Sequence, residues 1–157
     1  MFARDLKDNK IKTFLIASIE KYIVTNKTFS SKINPKGLIV NITSITALIN
    51  NPLIGLYSAS KSALHSLTQS IRGELAKKGT LVVGVYPGPI DTEMGKGLNT
   101  DLVAPSGVAT KVLDAIVHRQ ESVFPDPVAQ RIQRGLRQDA QAIEKEFAIE
   151  FGGIRLA

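Results

Sequence analysis

Apolar and polar positions recur along this chain with two different periods, and each change of period marks an element. Over 3–25, Leu6, Ile11, Phe14, Leu15, Ile19, Tyr22 and Ile23 fall at mixed three- and four-residue steps, which predicts a helix. Thr25 to Gly37 is polar and holds Pro35, so it reads as a loop. Leu38-Ile39-Val40-Asn41-Ile42 is a short β-branched apolar run, the pattern of a buried parallel strand. A Ser/Thr/Asn-rich loop over 43–55 leads into a predicted helix at 56–78, striped by Ala63, Leu64, Leu67, Ile71 and Leu75. Lys77, Lys78 and Gly79 suit its C-terminus, the glycine as a left-handed cap and the lysines against the helix dipole.

Thr80 to Val85 is the next apolar run, so strand, helix and strand form a βαβ unit and the class is α/β. A Gly/Pro-rich loop follows over 86–104, then a helix at 106–119 and a short strand at Ser122-Val123-Phe124. The spacing of Val128, Ile132, Leu136, Ile143 and Phe147 predicts a further helix over 128–150, weakened at Gly135. At 157 residues one domain is expected. Its parts are a helix and loop at 1–36, a βαβ unit at 37–92, a loop at 93–105 and C-terminal helices at 106–157.

Composition narrows the function classes. With 43% hydrophobic residues and 22% charged ones, the chain is globular in type. It has no cysteine, which removes disulfides, thiolate nucleophiles and cysteine-ligated metals. No run approaches the roughly 18–20 apolar residues of a membrane span. The first residues lack the basic-then-apolar order of a secretory signal, so a cytoplasmic protein without membrane contact is expected. Of the net charge of +6, much lies in 1–36, where eight Lys/Arg face three Asp/Glu. Without stacking aromatics or a recognition motif, that excess reads as a solvated lysine face, and no nucleic-acid partner is expected.

The candidate chemistry sits where open α/β sheets bind ligands, at the C-terminal ends of parallel strands. Ser44 follows the first strand, and Tyr57 and Lys61 lie four residues apart on the helix, so both project from one face. A phenol, with an ordinary pKa about 10, is a poor proton carrier at neutral pH unless a neighbouring cation stabilises its anion. Pro87-Gly88-Pro89-Ile90-Asp91-Thr92 follows the second strand. Each piece alone is commonplace; their order and separations together are not.

The stretches Gly37-Leu38-Ile39-Val40-Asn41-Ile42-Thr43-Ser44, Tyr57-Ser58-Ala59-Ser60-Lys61 and Val85-Tyr86-Pro87-Gly88-Pro89-Ile90-Asp91-Thr92 resemble the short-chain dehydrogenase/reductase family. The resemblance covers the C-terminal half to three-fifths of a family domain of about 250 residues. It implies a partial Rossmann-like doubly wound parallel sheet whose N-terminal βαβαβ half is missing, in a fragment or shortened product. It implies NAD or NADP as cofactor and an alcohol or carbonyl compound as substrate. Catalytic roles are implied for Ser44, which would hold the substrate oxygen, for Tyr57, which would exchange its proton, and for Lys61, which would lower the Tyr57 pKa and bind the nicotinamide ribose. Pro87 and Gly88 would form the wall against the nicotinamide, while the Ile90 backbone and the Thr92 hydroxyl would bind its carboxamide. Asn9 is the candidate for the family's relay asparagine, its long separation from Ser44 implying an insertion around 25–36. Family dimers are built from the helices matching 3–25 and 56–78, so a homo-oligomer is expected.

One departure is large. No Gly-x-x-x-Gly-x-Gly or Gly-x-Gly-x-x-Gly occurs among the 157 residues, so the dinucleotide cradle has no visible residues. The strand at 38–42 is then expected to have an unprotected edge. The alternative function is a non-catalytic remnant that serves as an interaction or dimerisation module.

Overall fold

The computed structural model describes residues 37–96, 98 and 100–152, and the backbone of two short strands, β1 (Phe2–Arg4) and β2 (Ile11–Thr13). The rest of the chain in order is β3 (Gly37–Ile42), α1 (Gly55–Leu75), β4 (Thr80–Val85), α2 (Pro105–Val117), β5 (Ser122–Val123), α3 (Pro127–Gln138) and α4 (Ala140–Gly152). The sheet order is β2-β1-β3-β4-β5. β3, β4 and β5 are parallel neighbours, with Leu38 opposite Leu81, Val40 opposite Val83 and Ile42 opposite Val85.

Period-two alternation decides which helix covers which face. Leu38, Val40, Leu81, Val83 and Val85 pack with Val112, Ala115 and Ile116 of α2 and with Val123. On the opposite face Asn41 and Tyr86 meet Thr68 and His65 of α1. Helices on both faces of parallel strands give the doubly wound α/β arrangement expected from the sequence. A second apolar cluster joins Ile45 and Ile49, just beyond β3, to Ala129 and Ile132 of α3 and to Ile143 and Phe147 of α4. The C-terminal helices thus support the turn that follows β3.

Three expectations change. Phe2–Arg4 and Ile11–Thr13 are strands rather than parts of a helix over 3–25. β1 pairs antiparallel with β3 through Phe2 opposite Val40 and Ala3 opposite Ile39, so the edge expected to be bare is covered. Unpaired amide and carbonyl groups along that edge are a stronger demand than a loose helical period. Asn9 and the proposed insertion at 25–36 lie outside the described residues. Lastly, the helix expected at 128–150 is two helices. The chain becomes extended at Asp139 (φ −150°, ψ 97°), whose carboxylate accepts from the Ala142 N–H at 3.0 Å. Gly135 permits the fold-back: a Cβ there would lie 2.6 Å from Ile143 Cγ1.

Elsewhere the boundaries agree closely. α1 closes through a 3-10 turn at Ala76–Lys78, and Gly79 takes the left-handed conformation (φ 68°) that the cap requires. Its predicted stripe is only partly used. Leu64, Ile71 and Leu75 are half-buried, Leu67 is 53% exposed, and the buried residues of α1 are Ser58 and Thr68.

Candidate active site

Ser44 is the extended residue two positions beyond β3 that caps a 3-10 turn, Ile45–Ala47. Its Oγ accepts from the Thr46 N–H at 3.1 Å and from the Thr46 hydroxyl at 3.0 Å. With both lone pairs engaged, the hydroxyl is left to act as a donor. Thr46 is therefore an orienting partner, one that the sequence motif does not mark.

Tyr57 lies in the first turn of α1, half-buried beside Ser44. Burial pushes its phenol above the ordinary value, and hydrogen bonding to the Ser44 side chain pulls it partly back. The phenol is therefore protonated at neutral pH and has a proton to give. One turn further on, the Lys61 ammonium lies over the Tyr57 ring, 5.5 Å from its centroid. Lys61 Nζ also donates to the Ile42 carbonyl at 3.3 Å, which ties α1 to the end of β3. Burial lowers the Lys61 pKa from the ordinary ammonium value. Ser44, Tyr57 and Lys61 are thus gathered at one end of β3. The contribution of Lys61 visible here is a contact with the ring face, while the direction of the Tyr57 pKa is set by burial and, against it, by Ser44.

The turn after β4 closes the site from the other side. Ile45 N–H donates to the Pro87 carbonyl at 2.8 Å, so the Ser44 turn and the Pro87–Gly88 turn are directly joined. Gly88 N–H donates to Asp126 Oδ2 at 2.7 Å, and a Cβ on Gly88 would meet Asp126 Oδ1 at 2.6 Å. Asp91 N–H donates to Val103 O at 3.0 Å and Val103 N–H to Pro89 O at 3.2 Å, which fixes the start of the 90–103 loop. Among the described hydrogen bonds the Ile90 N–H has no partner, and the exposed Thr92 hydroxyl has only a long 3.4 Å contact to Ile90 O. A free backbone donor and a free hydroxyl two residues apart suit a carboxamide. The residues present therefore fit the nicotinamide half of a dinucleotide, while no glycine-rich turn is supplied for its pyrophosphate.

Behind the site, Tyr86 is buried, with its hydroxyl 2.8 Å from His65 Nδ1 and its ring stacked on Phe124 at 5.2 Å. Burial lowers the His65 pKa, and the Arg72 guanidinium lowers it further. Neither His65 nor Asp126 stands out in the sequence, although Asp126-Pro127 carries the signature of a helix cap with proline at its first position. Among the described residues no group of three or more His, Asp or Glu gathers as a metal site, and no helix is long and apolar enough to cross a membrane.

A family model described as short chain dehydrogenase matches residues 2–117. An uncharacterized oxidoreductase of Staphylococcus saprophyticus is 43% identical over 70 residues, which cover 44% of this chain and 30% of that protein. A 3-oxoacyl-(acyl-carrier-protein) reductase of Synechocystis is 40% identical over 65 residues, covering 41% of this chain and 26% of that protein. A short chain dehydrogenase from Burkholderia cenocepacia, solved in complex with NADP, superposes with a TM-score of 0.60 at 34% identity over 70% of this chain and 46% of that one. The chain spans less than half the length of these relatives.

Proposed function

This chain belongs to the short-chain dehydrogenase family, and on that premise we propose that it serves hydride transfer between a nicotinamide cofactor, NAD or NADP, and an alcohol or ketone. The observation that carries the reading is the meeting of Ser44, Tyr57 and Lys61 at the end of β3, closed by the Pro87–Gly88 turn. The nicotinamide supplies or accepts the hydride when bound. Ser44, held as a donor by Thr46, hydrogen-bonds the substrate oxygen. Tyr57 delivers its proton to that oxygen in the reductive direction and takes it back in the oxidative one. Lys61 keeps two N–H donors beyond its bond to Ile42 O, and these serve the ribose of the cofactor and the electrostatics of the phenol. Pro87 and Gly88 form the wall, and the Ile90 N–H with the Thr92 hydroxyl hold the carboxamide. The relative solved with NADP supports the nicotinamide class.

Tyr57→Phe should lower turnover by about a hundredfold or more while leaving the far-UV spectrum unchanged. An undiminished rate would remove Tyr57 from the mechanism. The exposed Leu56 and Leu67 of α1 favour a second reading, a non-catalytic interaction module. Titration of this chain with NADH and NADPH separates the two: micromolar binding supports hydride transfer, and none at millimolar cofactor supports the module.

The reading extends to assembly in a cytoplasmic homo-oligomer. α1 presents Leu56, 92% exposed, and Leu67 beside the small exposed residues Ala59, Ser60 and Ala63. Such a surface permits close approach of a second copy. The interface rests on α1 rather than on a helix over 3–25, since strands stand at Phe2–Arg4 and Ile11–Thr13. Leu67→Glu should shift sedimentation toward the monomer; a wild-type chain that is monomeric at every concentration would end this extension.

A further inference from the structure

Asp126 lies nine residues beyond the matched family segment, 2–117, yet its carboxylate reaches into the site. The residue is 1% exposed, and each oxygen has a separate task. Oδ1 accepts from the Ala129 N–H at 2.8 Å, an ordinary helix N-cap for α3. Oδ2 accepts from the Gly88 N–H at 2.7 Å, a contact that capping does not require.

The amide that Oδ2 engages is the Pro87–Gly88 peptide, and its other end is held too. The Pro87 carbonyl accepts from the Ile45 N–H at 2.8 Å, one residue from Ser44. A single rigid amide plane therefore spans from Asp126 to the Ser44 turn. A charged acceptor on the N–H polarises that amide and strengthens its carbonyl as an acceptor for Ile45. Gly88 fits the same device, because a Cβ would lie 2.6 Å from Asp126 Oδ1 and 3.2 Å from Val128 Cβ. The clamp is itself anchored, since Ala129 and Ile132 of α3 pack against Ile45 and Ile49.

We propose that Asp126 is a positioning residue of the active site: its carboxylate clamps the Pro87–Gly88 peptide and, through it, sets where Ser44 stands. Only the kinetic arm of the test rests on the hydride-transfer reading. Asp126→Ser keeps a helix-capping oxygen but is too short to hold Gly88 as well. Asp126→Asn keeps the shape and replaces one acceptor with an amide donor, so one of the two contacts must fail.

The experiment uses the whole 157-residue chain, labelled with 15N and 13C. In the wild type, a scalar coupling across the hydrogen bond between the Gly88 nitrogen and Asp126 Cγ is expected; its absence overturns the clamp without any variant. In Asp126→Ser, the far-UV spectrum should be retained and the Gly88 amide proton should move upfield. The Ile45 and Thr46 amides should shift with it, because Thr46 N–H reports on Ser44 Oγ. Where the chain turns over a ketone with NADPH, kcat should fall by about ten- to a hundredfold with a smaller change in KM. Changes confined to 127–130, or a Gly88 shift that leaves Ile45 and Thr46 in place, would reduce Asp126 to a helix cap. A wild type without turnover counts against the hydride-transfer reading alone, and the resonances still decide the clamp.

Discussion

Replacing Thr68 with valine tests what seats α1 on the sheet. Thr68 is 0% exposed, and its hydroxyl accepts from Asn41 Nδ2 at 2.9 Å while donating to the Leu64 carbonyl at 2.7 Å. Asn41, in β3, is 3% exposed. Valine keeps the shape and removes the acceptor, which strands a buried amide donor. The cost of such an orphan is about 1–3 kcal/mol, so Thr68→Val should destabilise the fold by about 2 kcal/mol. For a chain of this length that corresponds to a fall in Tm of about 4–8 °C, read by circular dichroism. Asn41→Leu removes the stranded donor, and the double variant should recover much of the loss, with a coupling energy of about 1–2 kcal/mol. A Thr68→Val melt within about 0.5 kcal/mol of wild type, or a cycle with no coupling, would show that this hydrogen bond does not seat the helix.

Gly135→Ala should gain about 1 kcal/mol of helix propensity in α3 but lose more through the clash with Ile143, whose Cβ lies 2.9 Å from the new methyl. A lower urea midpoint is expected, and a raised one would refute the close α3–α4 contact. His65 has its folded pKa depressed below the unfolded value, by burial first and Arg72 second. The fold then binds fewer protons than the unfolded chain below about pH 6.5, so the stability this group contributes is complete above that pH and is lost as pH falls through the folded value. Melts between about pH 8 and about pH 5 should show a slope that His65→Asn removes, and an unchanged slope would exclude His65 as its source.

How much of this could be read from the chain follows from the range of the forces involved. The βαβ unit was legible because β3, α1 and β4 carry clean local periods and Gly79 punctuates them. Ser44, Tyr57, Lys61 and the Pro87–Gly88 turn were legible because the resemblance fixes their spacing. β1 and β2 were not, since pairing with the edge of β3 is a tertiary demand that the spacing of Leu6, Ile11 and Phe14 does not encode. The break at Asp139 was also missed. Gly135 reads as a flaw in one helix, while its role is to admit Ile143 from a second. Asp126 was invisible as part of the site because its partner, Gly88, lies 38 residues away.

The seating of α1 shows why hydrogen bonds matter here more than apolar area. A helix held by a leucine stripe can slide by a fraction of a turn at small cost, because apolar attraction is non-directional. α1 instead engages through Asn41 with Thr68, Lys61 with Ile42 O, Ser62 with Ala47 O at 3.0 Å, and His65 with Tyr86. Each of these fixes a direction as well as a distance. Together they set where Tyr57 stands relative to Ser44, the separation on which the proposed proton delivery would depend. They also leave Leu56 and Leu67 outside the protomer's own packing, so the polarity of the seated face and the apolarity of the outer face of α1 are two consequences of one choice of residues.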